Sequence, residues 1–249
     1  TATAVATGSI TNVGKTDNTY RIDWGTAKAT NYEVKSATLG ELEVTKATMS
    51  LTVTGHDDVY DGSTYSVKVE GAPAGSTIEY STDNGETWSD TAPTITDVGE
   101  QTVKVRVTNS NYELGEESTT LKVTPAPLAV TTGSADKVYD GTALTKAEAS
   151  VTGMVNGETA TAVATGSITN VGKIDNNYRI DWGTAKSTNY AVTSESLGEL
   201  EVTKATMDLT VTGHEGVYDG STYSVKVEGA PTGSTIEYST DNGETWSDT

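Results

Sequence analysis

Val138-Tyr139-Asp140-Gly141 recurs as Val59-Tyr60-Asp61-Gly62 and again as Val217-Tyr218-Asp219-Gly220, with the three tyrosines 79 residues apart. A fixed internal period has to be read before length, and it makes the chain an array of small units. Each copy reads as a turn device. Gly62, Gly141 and Gly220 supply a positive φ, Asp61, Asp140 and Asp219 accept backbone amides, and the tyrosine offers its ring to a core with the hydroxyl at the margin. The polar stretch ahead of each copy carries no strand signal.

Outward from this stretch, residues 1 to 91 align without a gap on 159 to 249, with 11 differences in 91 positions. The true period is therefore two units of related but different type. A complete second-type repeat covers 47–126 and a complete first-type repeat 127–204. Residues 1–46 match the C-terminal part of a first-type repeat, and 205–249 the N-terminal part of a second-type one. Both ends fall inside a unit, and the expectation is an excerpt from a longer array. The types share further landmarks: Thr96-Asp97-Val98-Gly99 answers Thr169-Asn170-Val171-Gly172, Asn111-Tyr112 answers Asn189-Tyr190, and Leu121-Lys122-Val123-Thr124 answers Leu200-Glu201-Val202-Thr203.

Apolar residues alternate with polar ones almost throughout, which puts them on one face of a pleated strand. Leu51 and Val53, then Tyr65, Val67 and Val69, then Val103, Val105 and Val107 read as half-buried strands, as do Tyr178, Ile180 and Trp182, and Leu200 with Val202. No stretch has an apolar stripe of helical period. Six or seven short strands per repeat, with turn residues every 8 to 12 positions, predict an all-β chain of tandem immunoglobulin-like antiparallel β-sandwiches. The junction Val123-Thr124-Pro125-Ala126-Pro127-Leu128 is not Gly/Ser-rich and its prolines restrict φ. The expected arrangement is end to end, as a rod.

Composition narrows the function. Sixteen basic against 35 acidic residues give a formal charge of −19, which repels phosphate backbones and anionic lipid and argues against nucleic-acid partners. No apolar run approaches the roughly 20 residues of a membrane span, so no membrane insertion is expected in this segment. With no cysteine, disulfides, thiolate metal sites and Cys thioesters are excluded.

Ser81-Thr82-Asp83-Asn84-Gly85-Glu86-Thr87-Trp88, repeated from Ser239 to Trp246, is similar to the Asp box of sialidases and other secreted β-proteins. Physically it reads as a hairpin tip: Asn84-Gly85 suits positive φ, Asp83 caps turn amides and Trp88 plugs the turn, as Asp241, Gly243 and Trp246 do in the second copy. Sialidase chemistry needs an arginine cluster and a tyrosine nucleophile beside an acid, whereas only Arg21, Arg106 and Arg179 exist. His56-Asp57-Asp58 ahead of Asp61 suggests a calcium set, but the copy His214-Glu215-Gly216 loses a carboxylate, so neither metal nor cofactor is expected. Gln101 is the sole glutamine, which removes a Thr–Gln ester crosslink from the first type; a Lys–Asn isopeptide stays open. Trp24, Trp88, Trp182 and Trp246 are candidates for a glycan face, with core packing the competing reading.

The order Val138 to Thr145, Thr169 to Gly172, Asn189-Tyr190 and Leu200 to Lys204 resembles the YDG-type and related MBG-type immunoglobulin-like repeats of bacterial surface proteins, in alternating copies along the whole chain. The resemblance implies non-enzymatic stalk segments of a long adhesin at the bacterial cell surface or cell wall, projecting a distal binding domain, with neighbouring repeats as partners. Two alternatives stand beside it. One is a multivalent module binding host glycan or protein. The other is a filament in which the incomplete end repeats of different chains complete one another.

Overall fold

A computed structural model describes residues 1–35 and 37–248. In chain order it contains β1 (Thr3–Ala6), β2 (Gly14–Asn18), β3 (Tyr20–Asp23), the 3-10 turn η1 (Ala29–Asn31), β4 (Gly40–Val44), β5 (Thr52–Thr54), β6 (His56–Val59), β7 (Tyr65–Ser66), β8 (Lys68–Glu70), β9 (Thr77–Ser81), β10 (Thr94–Ile95), β11 (Gly99–Thr108), β12 (Gly115–Thr124), β13 (Ala126–Thr132), β14 (Ala135–Val138), β15 (Ala149–Thr152), β16 (Thr161–Ala164), β17 (Gly172–Asp175), β18 (Tyr178–Asp181), the 3-10 turn η2 (Ser187–Asn189), β19 (Tyr190–Ser196), β20 (Glu199–Thr203), β21 (Thr210–Thr212) and β22 (Lys226–Glu228). The fold is all-β, with no α-helix among the described residues. Two compact units divide it: Thr1–Ala129 with Val151–Thr161 and Trp182–Ser194, and Val130–Ser150 with Ala162–Asp181 and Glu195–Thr249.

The first unit holds the longest strands. β11 pairs antiparallel with both β12 and β9, and β6 adds to β12 in parallel, giving the order β6-β12-β11-β9. The alternation read along β11 has a direct outcome. Val103, Val105 and Val107 are fully buried, while Lys104 and Arg106 point the other way. Together with Val67 and Leu121 they make a core against which Leu51, Val53 and Val69 from the β5–β8 side and Ile95 from β10 are packed. Each such side chain contributes about 1.5–3 kcal/mol by leaving water. Residues 1–46 of this unit form two antiparallel ladders, β1 with β3 and β2 with β4.

The stretch ahead of Tyr60 departs from the expectation of no strand. His56–Val59 is β6, paired through Leu121↔His56 to Thr124↔Val59. Three of its four side chains are polar, and the backbone ladder, with Asp57 ion-paired to Lys122 at 3.6 Å, needs no apolar pattern. The same correction holds in the second unit, where β14 runs parallel to β20 just ahead of Tyr139, and β17 pairs antiparallel on the other side of β20. Leu200 and Val202 of β20 are buried there, and Asn176 pins the surrounding loops. Its amide donates to the carbonyls of Gly133 and Lys146 at 2.9 Å each and accepts from Gly166 N at 3.1 Å. Residues 205–249 pair β21 with β22 as β5 pairs with β8. His214–Val217, the counterpart of β6, forms no ladder.

Candidate functional site

All three Tyr-Asp-Gly turns are built alike at the aspartate. Asp61 Oδ1 accepts the Ser63 amide at 2.7 Å and its Oδ2 takes the Tyr65 hydroxyl; Asp219 does the same with Ser221 and Tyr223. Asp140 accepts the Thr142 amide and hydroxyl, and the Lys137 ammonium at 2.7 Å closes the turn. The glycines that follow have φ of 81°, 80° and 78°, the left-handed region where a side chain is costly. These bonds hold all three carboxyls below the usual carboxylate range, through Tyr65 for Asp61, Lys137 for Asp140 and Tyr223 for Asp219.

The tyrosines of the three turns differ in surroundings. Tyr139 is 42% exposed and Tyr218 is 95% exposed, but Tyr60 is buried. Its ring meets Tyr190 edge-on at 5.6 Å, and its hydroxyl donates to Glu158 Oε1 at 2.6 Å. Glu158 Oε2 takes the Tyr190 hydroxyl at 2.7 Å, and Trp182 stacks behind Tyr190. Burial and then Glu158 push Tyr190 up to about 12. Tyr60 thus anchors on Glu158, 98 positions away, and Tyr190, 130 positions away, all within the first unit.

Two asparagines tie together segments equally distant in sequence. Asn111 accepts from Val13 N at 2.9 Å and donates to Asn12 Oδ1 at 3.0 Å. Asn189, fully buried at the end of η2, accepts from Val98 N at 3.0 Å and donates to Asp97 Oδ1 at 2.8 Å. Lys186 Nζ adds an ion pair to Asp97 Oδ2 at 2.7 Å. Asp97 is held low by the Asn189 amide and then by Lys186.

Both Asp boxes are closed hairpin tips. Asp83 Oδ1 accepts the Ser81 hydroxyl at 2.6 Å and the Thr87 amide at 2.9 Å, while Ser81 Oγ accepts the Gly85 amide. Asn84 and Gly85 have φ of 63° and 97°, and Trp88 Nε1 donates to Gly85 O. Arg106 lies over the Trp88 ring at 4.3 Å and is paired with Glu79. Beside it runs a groove of about 530 Å³ lined by Asn84, Trp88, Lys104, Arg106, Glu116 and Glu117. The second tip repeats the bonds through Ser239, Asp241, Gly243 and Thr245, with Trp246 exposed.

Chemically, this arrangement binds itself. The carboxylates singled out in the sequence are occupied by their own turns. Among the described residues no three His, Asp or Glu side chains converge as a metal set. His56 stacks on Tyr65 at 3.4 Å and His214 on Tyr223 at 3.5 Å, which places each imidazole against a ring rather than against a carboxylate. Lys137 spends its amine on Asp140 and Thr142, not on an asparagine carboxamide.

Glu158, Lys186 and the role of the two asparagines escaped the sequence reading. The recurrence of Asn-Tyr was visible, but its partners lie more than 90 residues away. Composition and spacing carry no signal for such a contact.

Against known families, residues 124–197 match the YDG domain, and residues 79–90 and 237–248 each match the BNR/Asp-box repeat. The YDG domain is distinct from the MBG type, so the grouping made from the sequence holds only for YDG. Asp-box repeats occur in sialidases and in non-enzymes, and the match assigns no activity. No curated protein matches the chain.

Proposed function

We propose that this chain is a stretch of the stalk of a long bacterial surface adhesin, a non-enzymatic array of immunoglobulin-like β-sandwiches that holds a distal binding domain away from the cell. The observation that carries the reading is the hand-over between repeats. β12 ends at Thr124 and β13 begins at Ala126, so the single residue Pro125 separates the last strand of the second-type repeat 47–126 from the strand that runs on into the first-type repeat 127–204. A one-residue joint with φ restricted by proline transmits direction from one repeat to the next, whereas a Gly/Ser linker would not. The topology of 47–126 supports the sandwich: the chain leaves β5 on β8 and crosses to β6 on β12, the sheet switch that immunoglobulin-like folds make at their first strand. Turns that satisfy their own carboxylates suit a scaffold. The location is extracellular, at the cell surface or wall, and the mechanism is mechanical, with repeat number setting reach.

Small-angle scattering with sedimentation at several concentrations tests this. A compact chain of this length has a radius of gyration of about 18 Å. An elongated, concentration-independent monomer well above that value is expected, and a compact particle would overturn the reading. Mass that grows with concentration would favour the filament completed between chains.

A second reading, a multivalent glycan-binding module, draws on the groove beside Trp88, where an aromatic edge, cations and carboxylates converge. Saturable binding on a glycan array that is lost in Trp88→Ala would promote it.

A further inference from the structure

The bonds of Asn111 and Asn189 are the same joint made twice. In each, one carboxamide accepts the backbone amide of Val in a Thr-Asn/Asp-Val-Gly turn and donates to the side-chain oxygen of the residue before it. The turn belongs to one repeat and the asparagine to the next: Asn12-Val13 receives Asn111, and Asp97-Val98 receives Asn189. We infer that the turn is a socket and the asparagine a plug by which successive repeats recognise one another, and that the residues beside them select which repeat type follows which.

Holding and choosing are separate. A primary amide offers one acceptor and two donors, so it serves a backbone N–H and a neighbouring side-chain oxygen together, and either Asn or Asp in the socket provides that oxygen. The choice lies in the socket's remaining atom. Asp97 presents a second carboxylate oxygen, and three residues before the plug asparagine the first-type repeat carries Lys186, which meets it at 2.7 Å. Asn12 presents an amide nitrogen there, and three residues before Asn111 the second-type repeat carries Thr108, with no charge. Exchanging the two would set the Lys ammonium against an amide donor in one joint and leave the Asp carboxylate without its cation in the other. Lys186 and Asp97 are both more than half exposed, so the ion pair discriminates only a few-fold while the carboxamide does the holding.

The rule extends to the other two halves on the chain. Thr169-Asn170-Val171-Gly172 is a socket of the Asn kind, with Val171 47% exposed, and selects a second-type repeat with its Thr. Asn31, at the end of η1 on the surface and preceded by Lys28, is a plug of the Lys kind and selects the Asp socket of a second-type repeat. Every joint therefore specifies alternation, which gives the two-unit period a physical cause. The inference stands on the two joints and does not require a stalk at a cell surface.

Amide hydrogen exchange of the whole chain tests it, read at Val13 and Val98 with Val105 as the core reference. Asn189→Ala should speed exchange at Val98 at least tenfold and leave Val13 and Val105 unchanged, and Asn111→Ala should do the reverse for Val13. Because Asn189 is buried, the aspartate variants supply a second arm that keeps its shape. Asn189→Asp faces Asp97 and should open Val98, with Asp97→Asn restoring protection; Asn111→Asp faces Asn12, whose amide can turn to donate, and should leave Val13 protected. Asp97→Asn alone should raise Val98 exchange two- to fivefold and Lys186→Thr added to it should reverse the change. Unaltered Val98 exchange in Asn189→Ala, or loss of Val105 protection with it, overturns the joint. Equal behaviour of Asn189→Asp and Asn111→Asp, or no reversal by Lys186→Thr, overturns the selection rule.

Discussion

Tyr60 donates a hydroxyl hydrogen bond to Glu158 Oε1 at 2.6 Å, although 98 residues separate them, and Tyr190 donates to the other oxygen of the same carboxylate. The residue that recurs most regularly along this chain is thus buried in one copy and exposed in the other two. In the copy at Tyr60 it is half of a buried bridge, and in the copies at Tyr139 and Tyr218 it stands in water.

Removing one hydroxyl should expose that difference. Tyr60→Phe leaves Glu158 with one partner fewer in a largely buried place, and a lost bond to a charged group there costs about 1–2 kcal/mol. Tyr139→Phe, where the ring is 42% exposed, should stay within about 0.5 kcal/mol of the parent. Chemical denaturation of both variants checks the contrast, and equal losses would contradict it.

The same bridge sets an alkaline limit. Tyr190 is pushed up to about 12, first by burial and then by Glu158, and Tyr60 is raised chiefly by its bond to Glu158. A phenol in the unfolded chain titrates near 10. The folded state therefore holds protons that the unfolded state has released, so the contribution is full below about pH 10 and is lost as pH rises from about 10 to 12. The melting temperature should fall over that range as phenolate absorbance rises. Glu158→Gln removes the negative charge and should move phenolate formation to lower pH.

The Asp boxes set the acid limit. Asp241 is lowered to about 2, first by the Thr245 hydroxyl, then by the Thr245 amide and Ser239. A depressed carboxyl stabilises above its unfolded value near 4, and that contribution is lost as pH falls from about 4 through about 2. Asp83 is likewise depressed, by Ser81 and Thr87. Tryptophan fluorescence should shift to the red over this interval as the hairpin tips loosen, and Asp83→Ala should show the shift from Trp88 already at neutral pH.

How much of this was legible depends on whether side chains or backbones make the contact. Val103, Val105 and Val107 wrote β11 into the sequence because burial on one face demands a period of two. The Asp83 and Asp61 turns were legible for a similar reason: their partners lie within four residues. β6 was not, because His56-Asp57-Asp58-Val59 joins β12 by a backbone ladder and three of its four side chains are exposed, so no apolar alternation marks it. Nor was the bridge at Tyr60. A local reading assigns that ring to its own repeat, and only the fold brings Glu158 and Tyr190 to it.

Glycine substitutions can separate the turn from the contact. Gly62 and Gly141 have nearly the same φ, 81° and 80°, so alanine at either pays the same left-handed strain of about 1–2 kcal/mol. At Gly141 an added methyl meets nothing within 4 Å. At Gly62 it would sit 2.4 Å from Asn156 Nδ2 and 2.6 Å from Asn156 Cβ, and the latter cannot swing away as a side-chain tip can. Gly62→Ala should therefore exceed Gly141→Ala by about 1 kcal/mol or more, the usual range for overpacking. Asn156 itself has φ of 53°, a conformation glycine adopts freely, so Asn156→Gly in the Gly62→Ala background should return the excess and leave only the strain. Denaturation of the three variants and the double variant measures both parts, and an excess that survives Asn156→Gly would place its origin in the turn rather than in the contact.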